Sequence, residues 1–311
     1  MSERDLACVT LDLENDWYFD ADGYDHLTLE YIDDYIGVMR DLDVPVTVFA
    51  VGRTIERFPE VINRLDAELQ SEFHLHSYQH DTSKSYDFRE EIRQGKAAFE
   101  NHFGVEPEGY RAPQGNIEPY EFEVLEEEGF RFDSSVFPSY RPGVYNNLGQ
   151  PIEPYQPAQT DELLEVPIGV TTRTRIPTCQ SYLKLLGRPY LRYLKRAALP
   201  APLVVNTHLQ DFYRTASHDR LDQPKRFIMK RNLDRSVDLF MRFVEQLRGR
   251  GYEFTQMSDI VVDHIDFAKL TYDESDETQT EPDTSVDEPG TDADTETEQV
   301  KIPEDRETTD G

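Results

Sequence analysis

Four times along this chain a short apolar run stops at polar side chains able to carry chemistry. Leu6–Leu11 ends at Asp12-Leu13-Glu14, and Glu72–Leu75 ends at His76-Ser77-Tyr78-Gln79-His80. Gly109-Tyr110 leads into Arg111-Ala112-Pro113-Gln114-Gly115, and Leu203–Asn206 stops just before His208. Runs this short and this apolar read as buried strands, and the stretches between them have helical spacing. Helices are expected over Leu27–Leu42, Tyr86–Phe103, Glu118–Glu128 and Gln223–Arg248, with Asp87 as a cap and Gly104 and Gly129 as stops. Val46–Ala50, Phe130–Phe132, Leu163–Ile168 and Tyr252–Thr255 supply further strands. Such alternation predicts an α/β architecture. In a parallel barrel the strand ends gather on one face, so clusters far apart in sequence meet there. The Pro-, Tyr- and Asn-rich stretch from Arg141 to Asp161 is expected to border that face.

Two carboxylates two residues apart and two imidazoles four apart suit a metal. Two histidines with one carboxylate form a common ligand set for a catalytic zinc that keeps a position open for water. Histidines four apart on a helical turn would share a face. One carboxylate, Arg111 and His208 are then left over, which is the inventory of a metal-assisted hydrolase. Spacing alone does not say which of Asp12 and Glu14 binds the ion.

Charge narrows the partners. The 311 residues carry a formal net charge of −30, which argues against duplex nucleic acid, whose phosphates need a basic face. Much of that charge lies in Thr271–Gly311, where only Lys301 and Arg306 are cationic. Residues 271–311 are expected to be a disordered acidic tail after a body spanning 1–270, because such a composition cannot bury enough apolar surface to offset ordering entropy. The acidic, Lys-poor body resembles proteins of salt-loving archaea. Cys8 and Cys179 imply no disulfide framework. With no signal-type apolar core at the start and no apolar run near the roughly 18 residues of a membrane span, a cytoplasmic location is expected.

Taken together, the clusters resemble the polysaccharide deacetylases with the NodB-type domain, carbohydrate esterase family four, from about Leu6 to Val262. The resemblance implies an incomplete (β/α) barrel of seven strands and hydrolysis of an N-acetyl group on a sugar or glycan. It implies one divalent ion, zinc first, with cobalt, nickel or iron as other candidates. His76 and His80 would be ligands, Arg111 would steer the base, and the backbone N–H of Gln114 would face the oxyanion. The first motif departs from the commonest form of two adjacent aspartates. It matches an Asp-x-Asp/Glu subgroup, with Asp12 as base and Glu14 as third ligand. Asp133, in Phe132-Asp133-Ser134-Ser135, would pair with the catalytic histidine, and His208 would be the general acid. Trp17 is a candidate either for stacking on a sugar ring or for packing.

From Val166 to Gln210 the chain has no acidic residue, yet it carries seven cations between Arg173 and Arg196, interleaved with Tyr and Leu. Residues 173–196 are therefore a candidate docking face for an anionic substrate carrier or for membrane headgroups. The bland alternative is a barrel helix whose cations pair with acidic neighbours. Deformylation, opening of a cyclic imide, and a non-catalytic carbohydrate-binding relative are the other functions open to such a chain.

Overall fold

The computed structural model describes residues 5–14 and 26–264. Trp17 and the acidic tail lie outside the described residues, so the expectations for them are untouched. The strands are β1 (Leu6–Leu13), β2 (Val46–Ala50), β3 (Ser71–Leu75), β4 (Gly109–Tyr110), β5 (Phe132–Asp133), β6 (Tyr140–Arg141), β7 (Tyr145–Asn146), β8 (Leu164–Glu165), β9 (Leu203–Thr207) and β10 (Glu253–Phe254). The helices are α1 (Ile32–Leu42), α2 (Gly52–Arg57), α3 (Pro59–Glu68), α4 (Phe88–Phe103), α5 (Pro119–Glu127), α6 (Gln180–Leu186), α7 (Arg188–Leu194), α8 (Ser217–Arg220), α9 (Lys225–Lys230) and α10 (Ser236–Arg248). None of them is long and apolar enough to cross a membrane.

All strands except the β6–β7 hairpin join one parallel sheet. Its order is β10-β1-β2-β3-β4-β5-β8, with β9 also pairing β1. The curled sheet with its helices is the expected incomplete (β/α)7 barrel. Between the segment after β8 and β9 there is a single parallel bridge, Ile168 to Val204. Gly169 permits that approach, since a Cβ there would stand 2.7 Å from the Val204 carbonyl oxygen.

The alternation of side chains along each strand decides which residues can reach the barrel interior. On β1, Ala7, Val9, Leu11 and Leu13 join the layer packed under the helices, whereas Cys8 joins the inner cluster with Phe49, Phe132 and Val204. Asp12 and Glu14 share the parity of Cys8, so a spacing of two sends both carboxylates inward. The same parity sends His74 and His76 inward from β3, and Asn206 and His208 inward from β9. Burying each Val or Leu of the outer layer contributes on the order of 1.5–3 kcal/mol, which holds this register against a one-residue slip.

Some expected elements differ. The stretch expected as one helix over Gln223–Arg248 is α9, a turn and α10. Asn232 breaks it in the left-handed region at φ 54°, where its side-chain amide donates to the Lys184 carbonyl. The segment Leu27–Tyr31 is a 3₁₀ turn that leads into α1. Asp87 does cap α4, accepting from the Glu90 N–H, and Gly104 ends that helix at φ 73°. The loop from Arg141 to Asp161 contains the β6–β7 hairpin and lends Arg141 and Tyr145 to the cavity described next.

Candidate active site

A cavity of about 310 Å³ opens at the carboxyl ends of the strands. Asp12, Glu14, His76, His80, Arg111, Gln114 and His208 all line it. The barrel thus brings together seven of the eight residues singled out from sequence.

Asp12 and Arg111 form its floor. Arg111 Nη1 donates to Asp12 Oδ1 and to Thr10 Oγ1, each at 2.7 Å. Nε donates to the Ser134 carbonyl and Nη2 to Ser134 Oγ, while the guanidinium lies 4.0 Å from the centre of the Phe49 ring. A buried guanidinium with this many partners has one position available to it. Burial pushes the Asp12 carboxyl up, but Arg111 foremost, with His76 and His208, holds it well below the usual carboxylate range.

Glu14, His76 and His80 form a separate group, with one ligand atom from each lying within 4.8 Å of the others. His80 Nε2 is 2.6 Å and His76 Nε2 is 3.6 Å from Glu14 Oε2. The other Glu14 oxygen accepts from Gln210 Nε2 at 2.6 Å. His76 Nδ1 lies 2.7 Å from the Arg111 carbonyl. A carbonyl can only accept, so the proton sits on Nδ1 and Nε2 presents its lone pair. Two imidazoles and a carboxylate, two of them oriented from behind, fit a divalent ion of the zinc type. The donor set therefore suits the implied metal.

The spacing of the histidines works differently from the helical expectation. Residues 76–80 form a loop after β3, with Ser77 and His80 in the left-handed region at φ 59° and 57°. Non-glycine residues seldom adopt that conformation, and here hydrogen bonds impose it. Ser77 Oγ accepts the His80 N–H, and the buried Glu91 carboxylate of α4 accepts the N–H groups of Tyr78 and Gln79. Gln114, expected at the oxyanion, lines the cavity in a turn with φ 58°.

His208 follows β9 with Nε2 3.3 Å from Asp12 Oδ2. Its Nδ1 lies 3.3 Å from Asp211 Oδ2, not from Asp133. The expected pairing of Asp133 with the histidine is therefore corrected, and strand parity explains why. Phe132 fills the barrel interior, so Asp133 beside it points to the opposite face. There Asp133 accepts both the N–H and the hydroxyl of Ser135, whose oxygen accepts the Ala112 N–H, so Asp133 braces the Arg111–Gln114 turn. Asp133 also neighbours Glu165 across β5 and β8. Burial, then the charge of Asp133, raises the Glu165 carboxyl well above its usual range.

Asp211 in turn pairs with Lys184 Nζ at 2.8 Å, both side chains being 2% exposed, and accepts a short hydrogen bond from Ser181. Burial pulls the His208 imidazole down, but Asp12 and Asp211 outweigh it and raise it well above its ordinary value. Lys184 belonged to the basic run expected at the surface, and the structure corrects that too: it is a buried counter-ion. Sequence reading also missed Asp211, Gln210 and Glu91. A carboxylate three residues after His208 was the one visible signal; the other two act across loops.

Residues 19–132 match the polysaccharide deacetylase family. The matched span holds His76, His80, Arg111 and Gln114, and leaves out Asp12, Glu14 and His208. No curated protein matches the chain in sequence. Among solved structures it is similar to a putative polysaccharide deacetylase from Mycobacterium smegmatis, at 21% identity over 86% of this chain and 93% of the other, with a TM-score of 0.58. It is similar to PuuE allantoinase at 18% identity over 84% and 90%, TM-score 0.52. A CE4 family pseudoenzyme from Bacillus anthracis aligns at 11% identity over 84% and 66%, TM-score 0.50. Identities this low speak for the fold and not for the reaction. Residues 19–132 are thus similar in sequence to the polysaccharide deacetylase family, and the barrel that holds them has the fold of the solved structures to which the chain is similar.

Proposed function

We propose that the protein is a metal-dependent hydrolase that removes an N-acetyl group from an amino sugar in a glycan or lipid-linked glycan intermediate, with zinc as its ion. The observation that carries this reading is the assembly of Glu14, His76 and His80 beside the Asp12–Arg111 pair and His208, in one cavity. What the ion supplies when bound is polarisation of the amide carbonyl and a water of lowered pKa. Asp12, kept ionised by Arg111, accepts the proton of the attacking water. The Gln114 backbone N–H faces the carbonyl oxygen as it gains charge. His208, held cationic between Asp12 and Asp211, gives its proton to the leaving nitrogen. An amine leaves far more readily than an amide anion, so this step requires a protonated histidine.

The exposed Arg188, Arg192, Lys195 and Arg196 on and just after α7 support a face that meets an anionic substrate carrier. Deformylation and ring opening would use the same groups, so release of acetate or formate from a substrate panel separates them. Asp12→Asn should keep the metal and lose turnover, while Glu14→Gln should lose metal and turnover together. Full turnover by the metal-stripped protein would refute the reading, and a metal-loaded protein that turned over no amide would leave the non-catalytic alternative.

A further inference from the structure

Among the described residues three carboxylates line the cavity: Asp12 is paired with Arg111 and Asp211 with Lys184, and Glu14 belongs to the group with His76 and His80. Two charged lining residues remain, Arg141 and Lys225, both exposed and neither ion-paired with a carboxylate among the described residues. In a chain with 62 acidic and 32 basic residues, two cavity-lining cations with no carboxylate partner among the described residues run against the composition.

Neither cation sits on a loose segment. Arg141 is on the β6–β7 hairpin, where Tyr145 stacks on Phe137 with ring centroids 5.7 Å apart and planes at 15°. Phe137 in turn packs on Gly115, where a Cβ would stand 2.7 Å from its ring, so the hairpin is built onto the turn that carries Gln114. The charge of Arg141 acts on Tyr145 and Tyr182, two aromatic members of the same wall. Lys225 opens α9, whose Met229 carbonyl accepts from Lys184 Nζ at 2.8 Å and so is tied to the ion pair behind His208. Ile228 and Met229 of that helix line the cavity as well.

We propose that the cavity mouth selects an N-acyl amino sugar esterified to phosphate, with Arg141 and Lys225 as the phosphate-binding residues. The aromatic and aliphatic wall suits the face of a sugar ring. A guanidinium takes two phosphate oxygens at once, and an ammonium takes a third as a point charge. A phosphate monoester carries close to two charges at neutral pH, matching two cations; a carboxylate would leave one unmatched. This inference deepens the amide-hydrolase reading and rests on it for the position of the acyl group.

The test measures binding and turnover separately on the metal-loaded protein. Calorimetry at low salt would compare N-acetylglucosamine, its 1-phosphate, its uridine diphosphate ester and N-acetylglucosaminuronic acid. Exposed ion pairs contribute modestly, so each cation should be worth about threefold, and the 1-phosphate should bind roughly tenfold tighter than the neutral sugar. Arg141→Gln with Lys225→Gln should erase that margin and leave the affinity for the neutral sugar unchanged. Tighter binding of the diphosphate ester than of the 1-phosphate would identify a nucleotide-linked source, and equal binding a simple sugar phosphate. Equal binding of neutral and phosphorylated sugars, a margin that survives in the double variant, or a uronate bound as tightly as the phosphate would each overturn the proposal. If the margin is present and no sugar is deacetylated, the phosphate site stands and the hydrolase reading fails.

Discussion

The buried pair Lys184–Asp211 allows a prediction with a worked magnitude. Both side chains are 2% exposed and their charged atoms are 2.8 Å apart, so neither charge can turn to water if the other is removed. Lys184→Met keeps the volume of the stem and deletes the charge, leaving Asp211 against His208 and Ser181 alone. Breaking a buried pair from one side costs about 3–5 kcal/mol. For a body of this size that lowers Tm by about 6–20 °C. Replacing both partners, Lys184→Met with Asp211→Asn, removes the stranded charge, and the amide oxygen introduced in place of the carboxylate can still accept from His208 Nδ1. The double variant should recover most of the loss, giving a coupling of at least about 2–4 kcal/mol in a double-mutant cycle read by urea denaturation. Turnover should not recover with stability, since His208 then lacks the carboxylate that holds it cationic. Additive single effects, or a double variant with full stability and full turnover, would refute the view that Lys184 acts through Asp211 on the histidine.

Three further outcomes follow from the same structure. Glu91→Ala frees the Tyr78 and Gln79 N–H groups that hold the His76–His80 loop, and should weaken metal affinity by about 10–100-fold in a chelator competition; unchanged affinity would show the loop stands without it. Glu165 has its carboxyl raised in the folded state, so its contribution to stability is complete below the unfolded carboxyl value of about 4.3 and is lost as pH rises through the folded value. Glu165→Gln keeps an acceptor for the Val136 N–H and a donor for Asp133, so its Tm should match wild type near pH 4 and exceed it increasingly above; parallel Tm curves would contradict a Glu165 carboxyl raised by burial and Asp133. Charge reversal at Arg188, Arg192 and Arg196 should raise KM for a carrier-linked substrate at low salt, leave kcat intact, and fade as the Debye length falls to about 3 Å at 1 M salt; an unchanged KM at both salts would mark α7 as an ordinary barrel helix.

Local pattern made most of the strands legible, together with the residues at their ends, though not the β6–β7 hairpin or the pairing of β9 with β1. Apolar runs such as Val46–Ala50 must be buried, and a run that stops at Asp12, His76, Arg111 or His208 has to deliver that residue to the rim. The Asp12-x-Glu14 spacing likewise carries its own geometry, because a period of two is a property of any strand. Contacts made across the fold carry no such local mark. The separation of His76 and His80 looked helical, yet the loop geometry comes from Glu91, a residue of α4 that no local pattern links to it. Asp133 sat in a plausible motif, but parity with Phe132 turns it away from His208, and the partner is Asp211, three residues along the chain. Lys184 reads as one cation among seven, and only the packing of α6 against the turn after β9 sets it beside that carboxylate. Local sequence governs which face a side chain takes on its own element; the partner it meets there depends on which other elements the barrel brings to the same rim.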